Sequence, residues 1–505
     1  MTDILLYFLD AITPFHLAIT LAGTVVGIII GALPGFTATM AIAVLIPITY
    51  TWDTTAALIF LGAIYCGSMF GGSISAILIN TPGTAAAAAT AMDGYAMTKR
   101  GRAHEALMES AVSSFWGGIV GNLALLFFAP VMARWAFNFG AQERFLMAAF
   151  GLTIIASLST KSIIKGLMMG CLGLLIACVG MDPVMGRARF TFGSTYLMGG
   201  ITMIPVVIGL FSVSQVFMSL RDPIKPARED DIIRYKRARF KLRDFCYYPI
   251  TYLWSSIVGL VIGIIPGTGG DVASYVSYNI GKIVSKERDQ FGQGSRDAVA
   301  ACEASNNAVV GGTLIPTLTL GIPGNATTAV LLSGLTIHGM TPGYGLFTES
   351  GDVTYPFIMS MFLANLAFVI IGVLGAKYFA RVTLTPQNIL AACVFNLSLI
   401  GCYAVRGNVK DVYIMLIFGV VGYLLKLYKY NVVPIVLGII LGDIAEEALQ
   451  QGLILYDNNL GSMFSTFLQR PICIVLLLMM VISISAPIIM EYRKKKKDIS
   501  HATMD

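Results

Sequence analysis

Apolar runs recur along almost the whole chain, separated by short polar turns. A helix needs about 20 apolar residues to cross the hydrocarbon core of a bilayer, so these runs predict an all-α polytopic membrane protein with about 12 transmembrane helices. Some runs are shorter and contain Pro-Gly pairs, which is typical of broken or re-entrant helices. The approximate apolar segments include 55–70 and 72–90 in the first part of the chain, and 298–310 and 312–336 in the second.

The composition changes this picture little. Of 505 residues, 56% are hydrophobic and 12% are charged, and the charged share is about half that of an ordinary soluble domain. This excludes most cytosolic enzymes. The net charge of +6 is modest and the basic residues stand in loops, so we expect a lipid bilayer, and no nucleic acid, as a partner. The eight cysteines lack metal-ligand spacing, so neither a zinc site nor a disulfide framework is indicated.

One long polar and basic interval divides the chain. It predicts a first transmembrane half at 1–220, a cytoplasmic basic loop at 221–247, a second transmembrane half at 248–490 and a cytoplasmic basic tail at 491–505. The start of the chain carries no Lys or Arg through residue 10, so it lacks the basic region of a cleaved signal peptide and is expected to stay on the protein.

The two halves contain similar motifs in the same order. The segment Gly27–Gly35, which ends in Pro-Gly, corresponds to Gly259–Gly267. Further on, a Gly-Gly pair followed by Pro82-Gly83-Thr84 corresponds to a Gly-Gly pair followed by Pro323-Gly324-Asn325. Two Pro-Gly breaks per half indicate an internal repeat, with one copy at about 16–104 and the other at about 249–345.

Loop charges indicate that the two copies run in opposite directions through the membrane. In the first copy the middle loop 51–54 has no basic residue, whereas the loop after the second break has Lys99, Arg100 and Arg102. The second copy reverses this, with basic residues in its middle loop, 282–296, and none at 338–352. Cytoplasmic loops are enriched in Lys and Arg, so we expect an inverted-topology repeat. Four arginines fall on the outer side against this rule, either as tolerated exceptions or as contacts for anions or a partner: Arg187, Arg189, Arg406 and Arg470.

The Pro-Gly breaks are the best candidates for a binding site. A break in mid-membrane exposes backbone groups, which are tolerated only inside protein or beside a wet cavity. Amide groups at the helix N-termini suit a carboxylate, and unwound carbonyls suit sodium. The alternative is that the breaks are simple kinks whose threonines bond back to their own helices. Small hydroxyl and amide side chains surround the breaks: Thr37, Thr39, Asn80, Thr81, Thr84, Thr268, Asn325, Thr327 and Thr328.

Carboxylates at membrane depth are a second pointer, because they are costly there and are usually functional or paired. Glu303 precedes Ser305-Asn306-Asn307 and is predicted either to coordinate a cation or to pair with Arg296 at the cytoplasmic edge. Asp271 follows the first break of the second copy. Asp93 is predicted to be a turn residue at the membrane interface.

Catalytic patterns are nearly absent. The four histidines stand apart, and the chain has no His-Glu-x-x-His, Gly-x-Ser-x-Gly or P-loop motif. We therefore expect no enzyme and no cofactor. Without an ATP-binding module, any transport must draw on an ion gradient.

Several motifs together resemble the large membrane subunit (TctA type) of the tripartite tricarboxylate transporters. They occur in both halves, as 31–35, 65–84, 93–101, 263–267, 291–295, 303–308, 321–324 and 338–343. The resemblance implies a permease of the bacterial inner membrane that works with a small membrane subunit of about four helices and a periplasmic solute-binding protein. Such systems take up citrate-like or other carboxylates, driven by sodium or protons. Asp271 departs from the expected pattern, which favours a small or neutral residue after the Gly-rich turn.

These considerations assign two sets of residues. The first would form a substrate clamp across the two copies and comprises Asn80, Thr81, Pro82, Gly83, Thr84, Pro323, Gly324, Asn325 and Thr327. The second would bind the coupling cation and comprises Gly35, Thr37, Gly267, Thr268, Ser305, Asn306 and Asn307. The expected mechanism is symport by alternating access, either as an elevator or as a rocking motion. A stand-alone carboxylate or amino-acid symporter is the alternative, followed by a passive channel.

Overall fold

The structure is a computed structural model, and it describes residues 2–158, 163–182, 185–222, 245–267, 269–382, 385–481 and 485. The basic loop lies mostly outside these residues, and so do Thr268 and the tail at 491–505. The first part of the chain forms α1 (Thr2–Ala11), α2 (Pro14–Ala32), α3 (Ala38–Thr49), α4 (Thr54–Ile79), α5 (Ala87–Lys99), α6 (Ala103–Ala136), α7 (Ala141–Leu158), α8 (Ile163–Ala177), β1 (Gly180–Met181), β2 (Ala188–Arg189), α9 (Thr195–Met198), α10 (Met203–Val207), a π-helix (Ile208–Val213) and α11 (Ser214–Arg221).

The second part of the chain is also helical. It forms α12 (Pro249–Ile264), α13 (Gly269–Val284), a 3₁₀ turn (Arg288–Gln290), α14 (Arg296–Leu320), α15 (Ala326–Ile337), α16 (Tyr344–Thr348), α17 (Gly351–Val382), α18 (Gln387–Arg406), α19 (Val409–Leu427), α20 (Val433–Leu455), α21 (Leu460–Phe467) and α22 (Pro471–Val481).

The helices confirm the prediction of an all-α polytopic membrane protein; in the described residues the strands are the short antiparallel pair β1–β2. Six described helices are long and apolar enough to cross a membrane alone, and α21 with α22 forms a further candidate bent by 84°. The expected total of about 12 crossings depends on shorter apolar helices such as α3, α12 and α15. Their lengths of 10–17 residues are below the usual length of a transmembrane helix.

The chain forms two compact units. The first comprises Met1–Phe137 and Ile204–Tyr423, and the second comprises Asn138–Met203 and Leu424–Asp505. Both predicted repeat copies, about 16–104 and 249–345, lie within the first unit. They share one order of elements: a helix, the first Pro-Gly break, a helix, a long helix, the second Pro-Gly break and a further helix. These are α2 to α5 in the first copy and α12 to α15 in the second.

The approximate segment boundaries at residues 71 and 311, each at a Gly-Gly pair, are not helix ends. Both pairs lie inside long helices, α4 and α14. Their role is close packing: a Cβ at Gly71 would lie 2.5 Å from the carbonyl oxygen of Ile28 in α2, and one at Gly312 would lie 2.8 Å from that of Leu260 in α12. Small residues permit such contact between membrane helices, so each copy packs its first helix tightly on its long helix.

Helices α6 and α17 complete the core of the first unit. The carbonyl of Ala304 in α14 lies where a Cβ at Gly117 of α6 would stand, so these two helices are also in close contact. The rings of Phe70 and Phe368 stack with centroids 5.1 Å apart and are almost fully buried. The long helices α4 and α14 are therefore enclosed, with nearly every side chain buried.

In the second unit, two arginines predicted on the outer side pair with carboxylates of the same unit. Arg189 binds Glu446 and lies 3.6 Å from Asp182. Arg470 donates to Glu143 at 2.9 Å. In the first unit Arg406 lies 3.9 Å from Asp411, so ion pairs account for three of the four exceptions to the loop-charge rule.

Candidate functional site

The first break of the first copy contains two of the predicted cation ligands. Helix α2 ends at Ala32, and Gly35 adopts a positive φ of 84° that redirects the chain. Thr37 then caps α3, because its hydroxyl oxygen accepts a hydrogen bond from the backbone N–H of Met40 at 3.3 Å. The Thr37 side chain therefore has a structural role in starting this helix.

The first break of the second copy lies directly against the second break of the same copy. Gly267 has a φ of 86°, and its N–H donates to the carbonyl oxygen of Gly324 at 2.6 Å. The predicted ligand Thr268 lies outside the described residues. Asp271, in the first turn of α13, has an exposed side chain. Gly267 is predicted to bind the cation and Gly324 to belong to the substrate clamp, and the structure places the two in direct contact.

The second break of the first copy begins at Asn80, which ends α4 in the left-handed conformation with a φ of 53°. Its side chain is exposed. Thr81 donates through its hydroxyl to the carbonyl oxygen of Ile79 at 3.3 Å. The N–H of Gly83, which follows Pro82, donates to the carbonyl oxygen of Gly72 at 3.2 Å. Four consecutive predicted clamp residues therefore form a tight turn on the end of α4.

The second break of the second copy is held by Asn325. Its side-chain oxygen accepts from the N–H of Thr328 at 2.9 Å and caps α15. Its side-chain nitrogen donates to the hydroxyl of Tyr65 at 2.8 Å. Pro323 and Gly324 immediately before it are buried. Asn325, a predicted clamp residue, is thus a link between α15 and α4 of the other copy.

Each first break meets the second break of the other copy. The hydroxyl oxygens of Thr39 and Thr327, which follow these two breaks, lie 2.9 Å apart. Gly270 follows the first break of the second copy, and Ala86 follows the second break of the first copy. A Cβ at Gly270 would lie 3.3 Å from the Cβ of Ala86. In the described residues, no hydrogen bond joins Asn80 or Thr81 to Asn325 or Thr327. These two approaches, of Thr39 to Thr327 and of Gly270 to Ala86, therefore run from a first break to a second break of the other copy.

The predicted cation ligands on α14 lie at the centre of the same unit. Ser305, Asn306 and Asn307 are buried. Among the described residues, no hydrogen-bond partner meets the hydroxyl oxygen of Ser305 or the side-chain oxygens of the two asparagines. Buried acceptors without partners are costly. Because hard cations prefer oxygen ligands, these three oxygens fit the predicted class of ligand.

Glu303 does not pair with Arg296. The guanidinium of Arg296 instead binds Glu109 at 2.5 Å, and Glu109 also accepts from the hydroxyl of Tyr252 at 2.7 Å. Glu303 is fully buried, and its carboxylate accepts from the hydroxyl of Thr90 at 2.5 Å. The predicted pairing with Arg296 is therefore wrong, and the coordination of a cation by Glu303 stays a prediction.

Asp93 links the two copies at one end of the unit. It lies inside α5 and is 1% exposed, so its prediction as a turn residue is wrong. Its carboxylate accepts from the backbone N–H groups of Gly292, Gly294 and Ser295 at 2.7–2.9 Å, and from the hydroxyl of Tyr278 at 2.9 Å. The carboxylate is buried because the middle loop of the other copy wraps around it, which the sequence spacing does not indicate.

A second link stands between the middle loop of the first copy and the end of the second copy. The hydroxyl of Thr49, at the end of α3, lies 3.3 Å from Nε2 of His338, which follows α15. Burial lowers the pKa of His338, and the charge of Asp53 opposes this shift. His338 is therefore mainly neutral at pH 7 and well suited to a hydrogen bond with Thr49.

Three buried hydroxyl residues at this site were absent from the predicted sets. Tyr65 contacts Asn325, while Thr90 and Ser114 donate to Glu303. Tyr65 offers a signal in sequence, a phenol in the middle of an apolar helix. Thr90 and Ser114 offer little, since most such hydroxyls in membrane helices bond to their own backbone.

The fold and the site define a multi-pass helical membrane protein organised around four broken helices. The chain belongs to the tripartite tricarboxylate transporter TctA family, whose family model matches residues 17–437. It is therefore a member of a transporter family that works in tripartite systems.

Two proteins of Agrobacterium vitis are similar to the chain. The first, named an uncharacterized 52.8 kDa protein in the TAR-I ttuC′ 3′ region, is 34% identical over 499 residues, covering 99% of this chain and 98% of the relative. The second, named an uncharacterized protein in the TAR-II ttuC′ 3′ region, is 30% identical over 241 residues, covering 48% of this chain and 98% of the relative.

Proposed function

We propose that this chain is the large permease subunit of a binding-protein-dependent secondary transporter. It imports tricarboxylates or related carboxylates by symport with Na⁺ or H⁺ through alternating access. The family supplies the transport class, and the broken helices supply what such a carrier needs, namely backbone dipoles and small polar side chains inside a membrane protein.

One observation carries this proposal: unlike ends of the two copies lie together. Asp93, near the end of the first copy, binds Gly294 in the middle loop of the second copy. At the other link, Thr49, beside the middle loop of the first copy, contacts His338 at the end of the second copy. Parallel copies would place like ends side by side. The two links therefore support an inverted repeat, the arrangement on which alternating access is commonly built.

The substrate carboxylates would bind at the second breaks, against the turn 80–84 and the segment 323–327. Helix α5 follows the first of these; its N-cap residue, Ala86, has no side-chain acceptor, and the hydroxyl of Thr84 accepts from the N–H of Ala87 at 3.4 Å. Its N-terminus is suited to a carboxylate because helix N-termini carry partial positive charge. The coupling cation would bind nearby, with Ser305, Asn306 and Asn307 and with the first breaks at Gly35 and Gly267.

The proposed assembly has three parts, of which two lie in the bacterial inner membrane. A small membrane subunit of about four helices would accompany this chain, and a periplasmic solute-binding protein would deliver the carboxylate. These partners follow from the tripartite family rather than from any surface of this chain.

Reconstituted uptake tests the function. Proteoliposomes that contain this chain, its small subunit and its binding protein are expected to accumulate labelled citrate or another carboxylate when a Na⁺ or H⁺ gradient is applied. We expect Thr81→Ala and Asn325→Ala to reduce uptake, with Thr336→Ala as a control that removes a hydroxyl bonded to its own helix. Wild-type uptake and cation dependence in both variants would rule out the clamp. Uptake without partners would favour a stand-alone symporter, and gradient-independent ohmic flux a channel.

Labelling of single cysteines tests the inverted repeat. In a cysteine-free background, cysteines at residues 54 and 290, both in middle loops, are expected to react with an impermeant maleimide from opposite sides of the membrane. If both react from the same side, the copies are parallel and alternating access by an inverted repeat is excluded.

A further inference from the structure

A buried polar cluster joins the two repeat copies around Glu303. The residue stands on α14, is 0% exposed and accepts two side-chain hydrogen bonds from the first copy or the helix that follows it. One comes from the hydroxyl of Thr90 in α5 at 2.5 Å, and the other from the hydroxyl of Ser114 in α6 at 3.1 Å. Three helices therefore converge on one carboxylate.

Among the described residues, no basic side chain pairs with this carboxylate. No ion pair of the described residues includes Glu303, and the guanidinium of Arg296 on the same helix binds Glu109. Hydroxyl donors stabilise a carboxylate, but they do not neutralise it. A fully buried carboxylate without a compensating cation carries a large desolvation cost. The cluster therefore requires a bound cation or a proton during the transport cycle.

The oxygen atoms around Glu303 favour a bound metal cation over a proton. Asn307 lies one helical turn beyond Glu303, and its side-chain nitrogen donates to the hydroxyl of Ser114 at 2.7 Å. Its side-chain oxygen, also buried, has no hydrogen-bond partner. A proton needs a single acceptor, whereas a hard metal cation needs several oxygens. The cluster offers a carboxylate, two hydroxyls and an unpartnered amide oxygen.

We propose that Glu303, Thr90, Ser114 and Asn307 form a sodium-binding site between the two repeat copies. This inference rests on the proposed function, since it identifies the coupling ion of the same transporter. A cation held by α14 together with α5 and α6 has its ligands on both copies and on the helix between them. Sodium binding would consequently stabilise one arrangement of the copies over the other, which is what coupling requires.

Direct binding of ²²Na⁺ to the purified full-length chain in lipid nanodiscs tests the site without transport. Saturable binding to the wild type is expected, with no saturable binding in Glu303→Gln. We expect Thr90→Val and Ser114→Ala to raise the half-saturating Na⁺ concentration about tenfold or more, as loss of groups around a metal commonly does. The matched controls are Thr98→Val and Ser113→Ala, whose hydroxyls donate to backbone carbonyls. Both should bind Na⁺ like the wild type.

Several results would overturn the site: no saturable Na⁺ binding by the wild type, wild-type affinity in a folded Glu303→Gln, or unchanged affinity in both Thr90→Val and Ser114→Ala. The last result decides the matter even if Glu303→Gln does not fold. Carboxylate uptake driven by protons, without Na⁺ binding, would reject this site and leave the proposed function standing. Na⁺ binding without uptake of any carboxylate would support the sodium site and contradict the proposed function.

Discussion

The hydroxyl oxygens of Thr39 and Thr327 lie 2.9 Å apart although 288 residues separate them in the chain. Each residue follows a Pro-Gly break, one in each repeat copy. We expect Thr39→Cys with Thr327→Cys, in a cysteine-free background, to form a disulfide on mild oxidation, because side chains this close lie within the reach of a disulfide. Mass spectrometry of the linked peptides measures the bond.

Each single-cysteine variant is the control for this pair. Two thiols that react with a maleimide in the denatured protein but never cross-link in the membrane would contradict the contact. If the cross-link forms, uptake in the presence and absence of reductant then shows whether the two breaks must separate during transport.

Tyr65 is expected to stabilise the second break of the second copy. Its hydroxyl accepts from Asn325 at 2.8 Å and lies 3.3 Å from the hydroxyl of Thr313. Tyr65→Phe leaves a partly buried amide donor unpaired, so we expect a loss of about 1 kcal/mol in stability. Thermal unfolding in detergent measures it. Tyr403→Phe, which removes the hydroxyl of a side chain that is 48% exposed, should leave the midpoint unchanged; an equal effect of both variants would contradict the role of Tyr65.

Gly83 is expected to be essential for packing inside the first copy. A Cβ at this position would overlap the carbonyl oxygen of Gly31 at the end of α2, and a backbone atom cannot move aside cheaply. Gly83→Ala should therefore cost about 1–3 kcal/mol or more, the usual range for an overpacked core. The yield and thermal midpoint of the purified protein measure this effect.

Gly170 provides the matched control for Gly83. Gly170, in α8, is also buried, yet among the described residues a Cβ there would meet a methyl of Leu152 at the ordinary distance of 3.7 Å. Gly170→Ala should be neutral or slightly stabilising, because Ala is the better helix former. A tolerated Gly83→Ala would show that the second break can shift away from α2.

The sequence predicts much of this fold because the membrane imposes strong rules on it. Apolar runs locate most helices to within a few residues, and Pro-Gly pairs locate all four breaks. The apolar runs give a wrong boundary at Gly71-Gly72, where α4 is continuous and glycine permits close packing between α2 and α4. A glycine pair in the sequence does not show whether it ends a helix or permits close packing, because close packing depends on which helix lies opposite.

The candidate site is less accessible from the sequence, because its contacts join residues that are far apart in the chain. Thr90 and Glu303 are 213 residues apart, and Asp93 and Gly294 are 201 apart. Only the packing of α5 on α14 brings the first pair together. The sequence could therefore identify the polar residues of the breaks and of α14, but not the partners of Glu303 and Asp93.

His338 is expected to make the stability of the protein pH-dependent. Burial lowers its pKa below the ordinary 6.5, so the folded state binds fewer protons than the unfolded state just below that pH. The stabilisation is present above pH 6.5 and is lost as the pH falls through the lowered pKa. The thermal midpoint should therefore drop between pH 7.5 and 5.5, and the drop should be smaller in His338→Gln. An identical drop in the variant would assign the effect to other groups.

The contact of Asp93 with the loop 291–295 is expected to hold one end of the two copies together. Three backbone N–H groups and the hydroxyl of Tyr278 converge on its buried carboxylate. Asp93→Ala would leave these four donors without an acceptor. Because each unpaired buried group costs about 1–3 kcal/mol, the loss should reach about 3 kcal/mol or more unless the loop opens to water.

Hydrogen exchange distinguishes a loop that opens to water from one that stays closed with unpaired donors. In an open loop the backbone amides exchange fast, whereas a closed loop stays protected and the stability of the whole unit falls. We expect Asp93→Ala to accelerate exchange at residues 292–295, and Asp93→Asn, which keeps one oxygen acceptor, to do so less. Asp289→Ala is the control in the same loop, because that carboxylate is 96% exposed. Protection at 292–295 that is equal in the wild type and in Asp93→Ala would mean that the loop is fixed by other contacts. Asp93 would then contribute no measurable stability to the link between unlike ends of the two copies.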